Sequence, residues 1–200
     1  WLMHIFWFKD SITGHLKQVD ALLMQMQKET RFSLSSIDCD KKKQVTNVLR
    51  SVLEKDNDKK FPIVLIGAGH TVYPKILSSQ KFIKKTLGLN SISIAVMRPS
   101  RNMSAFDLIC APEHDFVNQK AQNNVITYQG ALASTSFTAS DEKKAIIAIG
   151  GESKHYKFDE KIVLMQLKYI LNIHPNHEFN IFNSRRTPQS LNIQIEDELK

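Results

Sequence analysis

Two arginines stand side by side in Asn183-Ser184-Arg185-Arg186-Thr187-Pro188, between an apolar run that reads as a strand, Phe179 to Phe182, and a stretch that reads as a helix from Pro188. Guanidinium groups at that place suit an anion, because a helix start adds free N–H groups and the positive end of its dipole to their planar bidentate donors. Thr187 is expected as the N-cap, with Pro188 at the first helical position, where its missing N–H costs nothing. A second loop of this kind precedes it. Ile147 to Ile149 runs into Gly150-Gly151-Glu152-Ser153, and glycines let a backbone approach a ligand closely. Taken singly, the first loop reads as a solvated basic turn and the second as a tight turn. Taken together, on consecutive strands, they sit at the carboxyl ends where open parallel sheets bind ligands.

The elements around these loops alternate. Trp1 to Phe8 reads as a buried first strand and His15 to Lys28 as a helix, with Leu16, Val19, Leu22, Leu23 and Met26 on one face. Arg31 to Ile37 is a strand, Lys41 to Lys55 a helix and Phe61 to Ile66 a strand. Gly67-Ala68-Gly69-His70-Thr71 follows as a loop, then a helix from Val72 to Thr86. Three strand-helix units in a row predict a parallel sheet with right-handed crossovers. Ser91 to Met97, Phe106 to Ala111 and Val125 to Tyr128 are short strands that complete this half.

Residues 133–143 lose the apolar period and read as a linker between an N-terminal domain, 1–132, and the start of a second domain, 144–200. That second part reads as a strand at Ala145 to Ile149, a helix capped by Asp159, a strand at Glu178 to Phe182 and the start of another helix. Its first helix carries Ile162, Val163, Gln166, Leu167, Tyr169, Ile170 and Ile173 near helical period. About sixty residues follow the linker, fewer than the roughly 100 to 150 of a typical domain, so the second half is expected to be cut short.

The composition is that of a globular protein, with 42% hydrophobic and 24% charged residues in 200. A net charge of +7 and a pI near 9.4 favour an anionic partner, whether sugar nucleotide, acidic glycolipid, membrane surface or nucleic acid. The lysines are scattered in pairs and one triplet at element ends, and neither an aromatic-basic platform nor a zinc-finger spacing occurs, so nucleic acid is not expected. Cys39 and Cys110 follow no metal or redox spacing, which fits free thiols in a reducing compartment. The apolar opening run is too short to span a bilayer and unlike a signal peptide. A cytoplasmic location is therefore expected.

In order along the chain, Asp10 through Gly14-His15 and Gln18, then Gly67-Ala68-Gly69-His70-Thr71, Phe106-Asp107 with Pro112-Glu113-His114-Asp115, Gly130-Ala131, Ile149-Gly150-Gly151 with Ser153, and Ser184 to Pro188 make an ordered set. In this set the chain resembles the mitochondrial-fission (elongated-mitochondria) family of glycosyltransferase-like proteins, in its bacterial form. The resemblance implies a GT-B architecture, with two Rossmann-like domains facing across a cleft, an acceptor on the N-terminal side and a nucleotide-sugar mainly on the C-terminal side. Ser11-Ile12-Thr13 departs from the Gly-Lys-Pro common in the family. The family's later Asp-Ser and Glu-Ala motif, implied to hold the donor, is expected beyond Lys200.

Glycosyl transfer needs a base for the acceptor hydroxyl and donors for the departing diphosphate, and a GT-B enzyme can use Arg, Lys and helix ends in place of a metal. The resemblance assigns the leaving group to Gly150, Gly151, Ser153, Arg185, Arg186 and Thr187. His15 is the first candidate base, since imidazole titrates near neutrality, with Asp10 to orient it; its plainer reading is a polar residue opening a helix. His70 is the rival base, in a loop where Gly69 and Thr71, like Gly14 and Glu113 elsewhere, would serve substrate binding. Pro112 to Asp115 reads as a loop at the cleft edge rather than a metal site, Asp38-Cys39-Asp40 as a chance triplet offset by Lys41 to Lys43, and His174 and His177 as turn residues around Pro175. No metal or other cofactor is expected, the nucleotide-sugar being a co-substrate.

The reading is a glycosyltransferase that acts on a cell-envelope glycolipid or polysaccharide, peripheral to the inner face of a membrane. The alternative is a non-catalytic GT-B-fold scaffold recruiting a protein partner, the role that the resemblance implies for plant members with a dynamin-like fission protein. A nucleotide-sugar epimerase is disfavoured, because the first strand is not followed by Gly-x-Gly-x-x-Gly and Gly67-Ala68-Gly69 lacks the third glycine.

Overall fold

A computed structural model describes residues 3–41, 45–54, 61–117, 120–135, 139–153 and 156–199. Parts of three sequence expectations lie outside the described residues: Trp1 and Leu2 of the first strand, Lys42, Lys43, Gln44 and Lys55 of the second helix, and residues 136–138 of the linker. The chain forms two compact units, Trp1–Thr135 and Ser136–Lys200.

The first unit is built on β1 (Met3–Lys9), α1 (Thr13–Glu29), β2 (Phe32–Asp38), α2 (Val45–Leu53), β3 (Ile63–Ala68), α3 (Tyr73–Leu87), β4 (Ser91–Val96), β5 (Leu108–Pro112) and β6 (Val125–Tyr128). The six strands form one all-parallel sheet in the order β2-β1-β3-β4-β5-β6. Its central strands are apolar on both faces, as a sheet covered on both sides requires. In β1, Phe6 and Phe8 pack with α2 and α3, whereas Ile5 and Trp7 pack with Val19 and Leu23 of α1. That period-two split, repeated in β3 by Leu65 on one face and Val64 and Ile66 on the other, explains why helices are needed on both sides.

Helix α3 ends at Gly88, whose φ of +66° is the left-handed conformation of a C-terminal cap, and Leu89 N–H returns to the Ile83 carbonyl. Lys84 and Lys85 in its last turn complement the negative end of the dipole.

The chain leaves β1 toward β2 on one side and returns by α2 to β3 on the other. Connections from β1 and β3 thus diverge, and open α/β sheets place ligands at the carboxyl ends of such a strand pair.

The second unit is a single strand-helix-strand repeat with one more helix: β7 (Lys144–Ile149), α4 (Glu160–Ile173), β8 (Glu178–Asn183) and α5 (Gln189–Glu198). The two strands are parallel, with Ile147 opposite Ile181. Asp159 caps α4, its carboxylate accepting from the N–H groups of Lys161 and Ile162. Ile149, Leu167 and Leu191 form its core.

Two expectations are corrected here, and one stripe read as helical is found on a helix. Gly67 and Ala68 belong to β3, not to the loop after it, because the strand runs two residues further and both are buried. Thr187 does not cap α5; Pro188 takes that position without a side-chain bond, since the Thr187 hydroxyl is engaged elsewhere. The apolar stripe of α4 is only partly covered, with Leu167 buried but Ile162, Tyr169 and Ile173 exposed.

Candidate functional site

The switch point of the first unit holds a carboxylate-imidazole pair. Asp10 follows β1 directly, and its side chain is 5% exposed. One oxygen, Oδ1, accepts from Ile12 N–H at 3.1 Å, a short local turn that aims the chain into α1. The other, Oδ2, lies 2.7 Å from His15 Nδ1. Against an ionised carboxylate, which only accepts, Nδ1 is the donor, and a neutral ring would then keep a lone pair on Nε2. That is the tautomer a general base needs.

Gly69, just past β3, closes this pair from the other side. Its φ is +107°, and a Cβ there would stand 2.5 Å from His15 Nδ1 and 2.7 Å from Asp10 Oδ2. One turn along α1 from His15, Gln18 donates from Nε2 to the Met97 sulfur at 3.3 Å and accepts from the Tyr128 hydroxyl at 3.2 Å. Met97, at the end of β4, has a φ of +71°, rare for a side chain of this size. Its carbonyl accepts from the Tyr73 hydroxyl, which also bonds the Val96 carbonyl at 2.8 Å.

Burial pushes the Tyr73 phenol up to about 12. Burial, with Cys110 and Asp115 nearby, does the same to Tyr128, also to about 12. Both therefore remain hydrogen-bond donors at neutral pH. The carboxyl ends of β1, β3, β4 and β6 thus meet around α1's first turns.

The structure brings Asp10, His15 and Gly69 together and separates other expected residues from them. His70 is exposed and turned toward α3, its ring edge-on to Tyr73 at 6.1 Å. Thr71 is exposed in the same turn, and Gly14 is exposed in the first turn of α1 with open space around its Cα. Glu113 is exposed at the start of a short 3-10 turn after β5. In that turn Asp115 lies 3.8 Å from His114, and its carbonyl receives Arg98 Nη1. Asp107, at the amino end of β5, is far along the strands from the switch point and serves as a structural acceptor. Among the described residues no His, Cys, Asp and Glu group is arranged to hold a metal ion.

The second unit holds the two loops with which the sequence draws attention to itself, and ties them together. A Cβ on Gly151 would stand 1.9 Å from the Arg186 carbonyl oxygen, so the loop after β7 lies directly on the loop after β8. The Thr187 hydroxyl bonds the Gly150 carbonyl at 2.7 Å and accepts from Ser184 N–H at 2.9 Å. Ser184 Oγ in turn accepts from Arg186 N–H at 3.2 Å. Arg185 and Arg186 extend from this knot as exposed side chains, without an ion pair among the described residues. Ser153 takes no part in the knot, its N–H donating to the Tyr156 carbonyl. Gly150, Gly151, Arg185, Arg186 and Thr187 therefore form one surface, with two cations on it and Thr187 as its internal tie.

Sequence reasoning missed Gln18's two bonds, Met97 and Tyr128. A tyrosine closing a short apolar strand marks the carboxyl edge and is a usable signal; a methionine at positive φ gives none. It also missed that Gly69 packs on the acid-base pair.

A family model for mitochondrial fission ELM1 matches residues 13–200. No curated protein and no solved structure matches the chain. Among the described residues no helix is long and apolar enough to cross a membrane.

Proposed function

Since the chain belongs to the mitochondrial fission ELM1 family, we propose that it is a GT-B-type glycosyltransferase, moving a sugar from a nucleotide-sugar to a hydroxyl of a cell-envelope glycolipid or polysaccharide. The observation that carries this reading is the Asp10–His15 pair at the β1/β3 switch point, with Gly69 against it. In this reading His15 Nε2 takes the proton of the acceptor hydroxyl as its oxygen attacks the anomeric carbon. Asp10 holds the ring and offsets the imidazolium charge that forms. The bond from that carbon to the diphosphate breaks, and the diphosphate leaves with the electron pair; the anion that Arg185, Arg186 and the N–H groups of the Gly150-Gly151 loop suit is a diphosphate of this kind.

Unit one would take the acceptor and unit two the donor. The net charge of +7 supports an anionic co-substrate and contact with an anionic membrane face from the cytoplasm.

Titration calorimetry with uridine, guanosine and cytidine diphosphates and their sugars tests the donor half. One nucleotide is expected to bind, and Arg186→Ala to weaken it about tenfold, the worth of a charge-assisted hydrogen bond. Release of the sugar from that donor is expected to fall about 10²- to 10⁴-fold in His15→Ala, with donor affinity largely kept. Nucleotide affinity indifferent to Arg186→Ala would remove the donor site.

One observation favours a second reading, a non-catalytic scaffold for a protein partner. Ile162, Met165, Tyr169 and Ile173 line one exposed face of α4. Binding of no nucleotide, together with a partner interaction lost in Tyr169→Glu, would put the scaffold ahead.

A further inference from the structure

A cavity of about 330 Å³ opens between the first turns of α3 and the loop that follows β4. Its floor is apolar and held firmly: the Tyr73 and Phe106 rings meet edge to face at 5.6 Å, and both residues are buried. Leu77 and Pro99 complete that floor. Tyr73 gives the cavity only its ring, because its hydroxyl is spent on the Val96 and Met97 carbonyls. The rim has a different chemistry. Arg101 is exposed there, without a hydrogen bond or ion pair among the described residues, and the exposed His70 belongs to the same lining. No carboxylate is among the described residues that line the cavity. The rim also adjoins the start of α3, where the helix dipole favours negative charge.

A floor and a rim of these two kinds select a ligand of two parts. A free inorganic anion would leave the apolar floor unused, and an uncharged alkyl group would leave Arg101 without a counter-charge. We infer that this cavity binds an amphiphilic anion, a phosphate monoester of an alkyl or aryl group, with its charged end at Arg101 and His70 and its apolar part on Leu77, Pro99 and Phe106. Gly69, which packs on the Asp10–His15 pair, and His70, which lines the cavity, are consecutive, so the pair and the cavity are linked through the chain at the end of β3. In naming the ligand as the acceptor's lipid-phosphate end, the inference rests on the glycosyltransferase reading; the binding itself does not.

Calorimetric titration of the whole chain with monomeric octyl phosphate tests it, with inorganic phosphate and uncharged octyl glycerol as comparisons. Octyl phosphate is expected to saturate one site, and each comparison to bind at least about tenfold more weakly, since each forgoes either the charged or the apolar half. Arg101→Gln and Leu77→Asn are each expected to weaken octyl phosphate about tenfold while circular dichroism stays that of the parent. Arg101 is exposed, so its variant loses a contact rather than the fold. Vesicles containing phosphatidic acid separate the sources: sedimentation with them that is lost in Arg101→Gln assigns the ligand to a membrane, and binding of the monomer alone assigns it to a soluble ester. Absent saturation by both probes, or equal affinity in Arg101→Gln, overturns the inference. Octyl phosphate binding by a chain that binds no nucleotide would leave it standing and remove the enzyme reading alone; the opposite pattern would do the reverse.

Discussion

A methyl group at Gly69 would fall inside the contact radius of both His15 Nδ1 and Asp10 Oδ2, at 2.5 and 2.7 Å, on a backbone whose φ is +107°. Neither the collision nor the strain can be relieved without moving the end of β3 or parting the pair. Gly69→Ala is therefore expected to cost about 1–3 kcal/mol in urea unfolding and to abolish His15-dependent sugar release with it. Gly14 provides the contrast, because nothing lies within 4 Å of a Cβ there and its φ is ordinary. Gly14→Ala, in the first turn of α1, is expected to raise stability by about 0.4–1 kcal/mol through the helix and the unfolded chain. A stabilised Gly69→Ala or a destabilised Gly14→Ala would show that the switch point is arranged differently. The two glycines look alike in the sequence; what separates them is the neighbour that each one meets.

At the scale of elements, the middle of α3 and the amino-terminal parts of β4 and β5 make a comparable test through Asp107. Burial works to raise its carboxyl, but bonds from the Ser93 N–H, the Ser93 hydroxyl and the Gln80 amide outweigh it and leave the group below its ordinary 3.8. A carboxyl depressed in the folded state contributes stability that is present above the unfolded pKa and lost as pH falls through the folded one. Urea midpoints are expected to fall from about pH 5 toward about pH 2 more steeply in the parent than in Asp107→Asn, and equal slopes would deny Asp107 this role. The strand-helix order itself was legible, because β1 and β3 carry apolar residues on both faces and α1 keeps a single stripe of helical period. The Asp159 cap was legible for a local reason, a carboxylate one position ahead of an apolar-periodic run. Thr187 was not, since its hydroxyl is drawn from its own helix to the Gly150 carbonyl, a partner 37 residues away. The same limit hid the Tyr128–Gln18 contact, 110 residues apart, and the positive φ of Met97. The residues that would do chemistry were legible by type, but not which of them would meet.

For the molecule as a whole, the two units differ in how far each satisfies its own sheet. Unit one covers both faces of its central strands β1 and β3, with Phe6, Leu65 and Ile76 on one side and Trp7, Val19 and Ile66 on the other. Unit two covers one face. Ile147, Ile149 and Ile181 pack under α4 and α5, while Ile146 and Phe182, which point the opposite way, are 73% and 56% exposed. Parallel strands are seldom stable with a bare face, and two strands seldom hold alone. Residues 1–135 expressed alone are thus expected to unfold in urea in one cooperative transition, with a slope suited to a domain of that size. Residues 136–200 alone are expected to give a shallow, featureless decline, because the Ile149, Leu167 and Leu191 core is too small to offset the entropy of ordering the segment. A steep transition from residues 136–200 alone would mean that the exposed face of Ile146 and Phe182 needs no cover. The decline expected here would mean that residues 136–200 alone do not hold the Arg185–Arg186 surface, which stands on this core, in a fixed form.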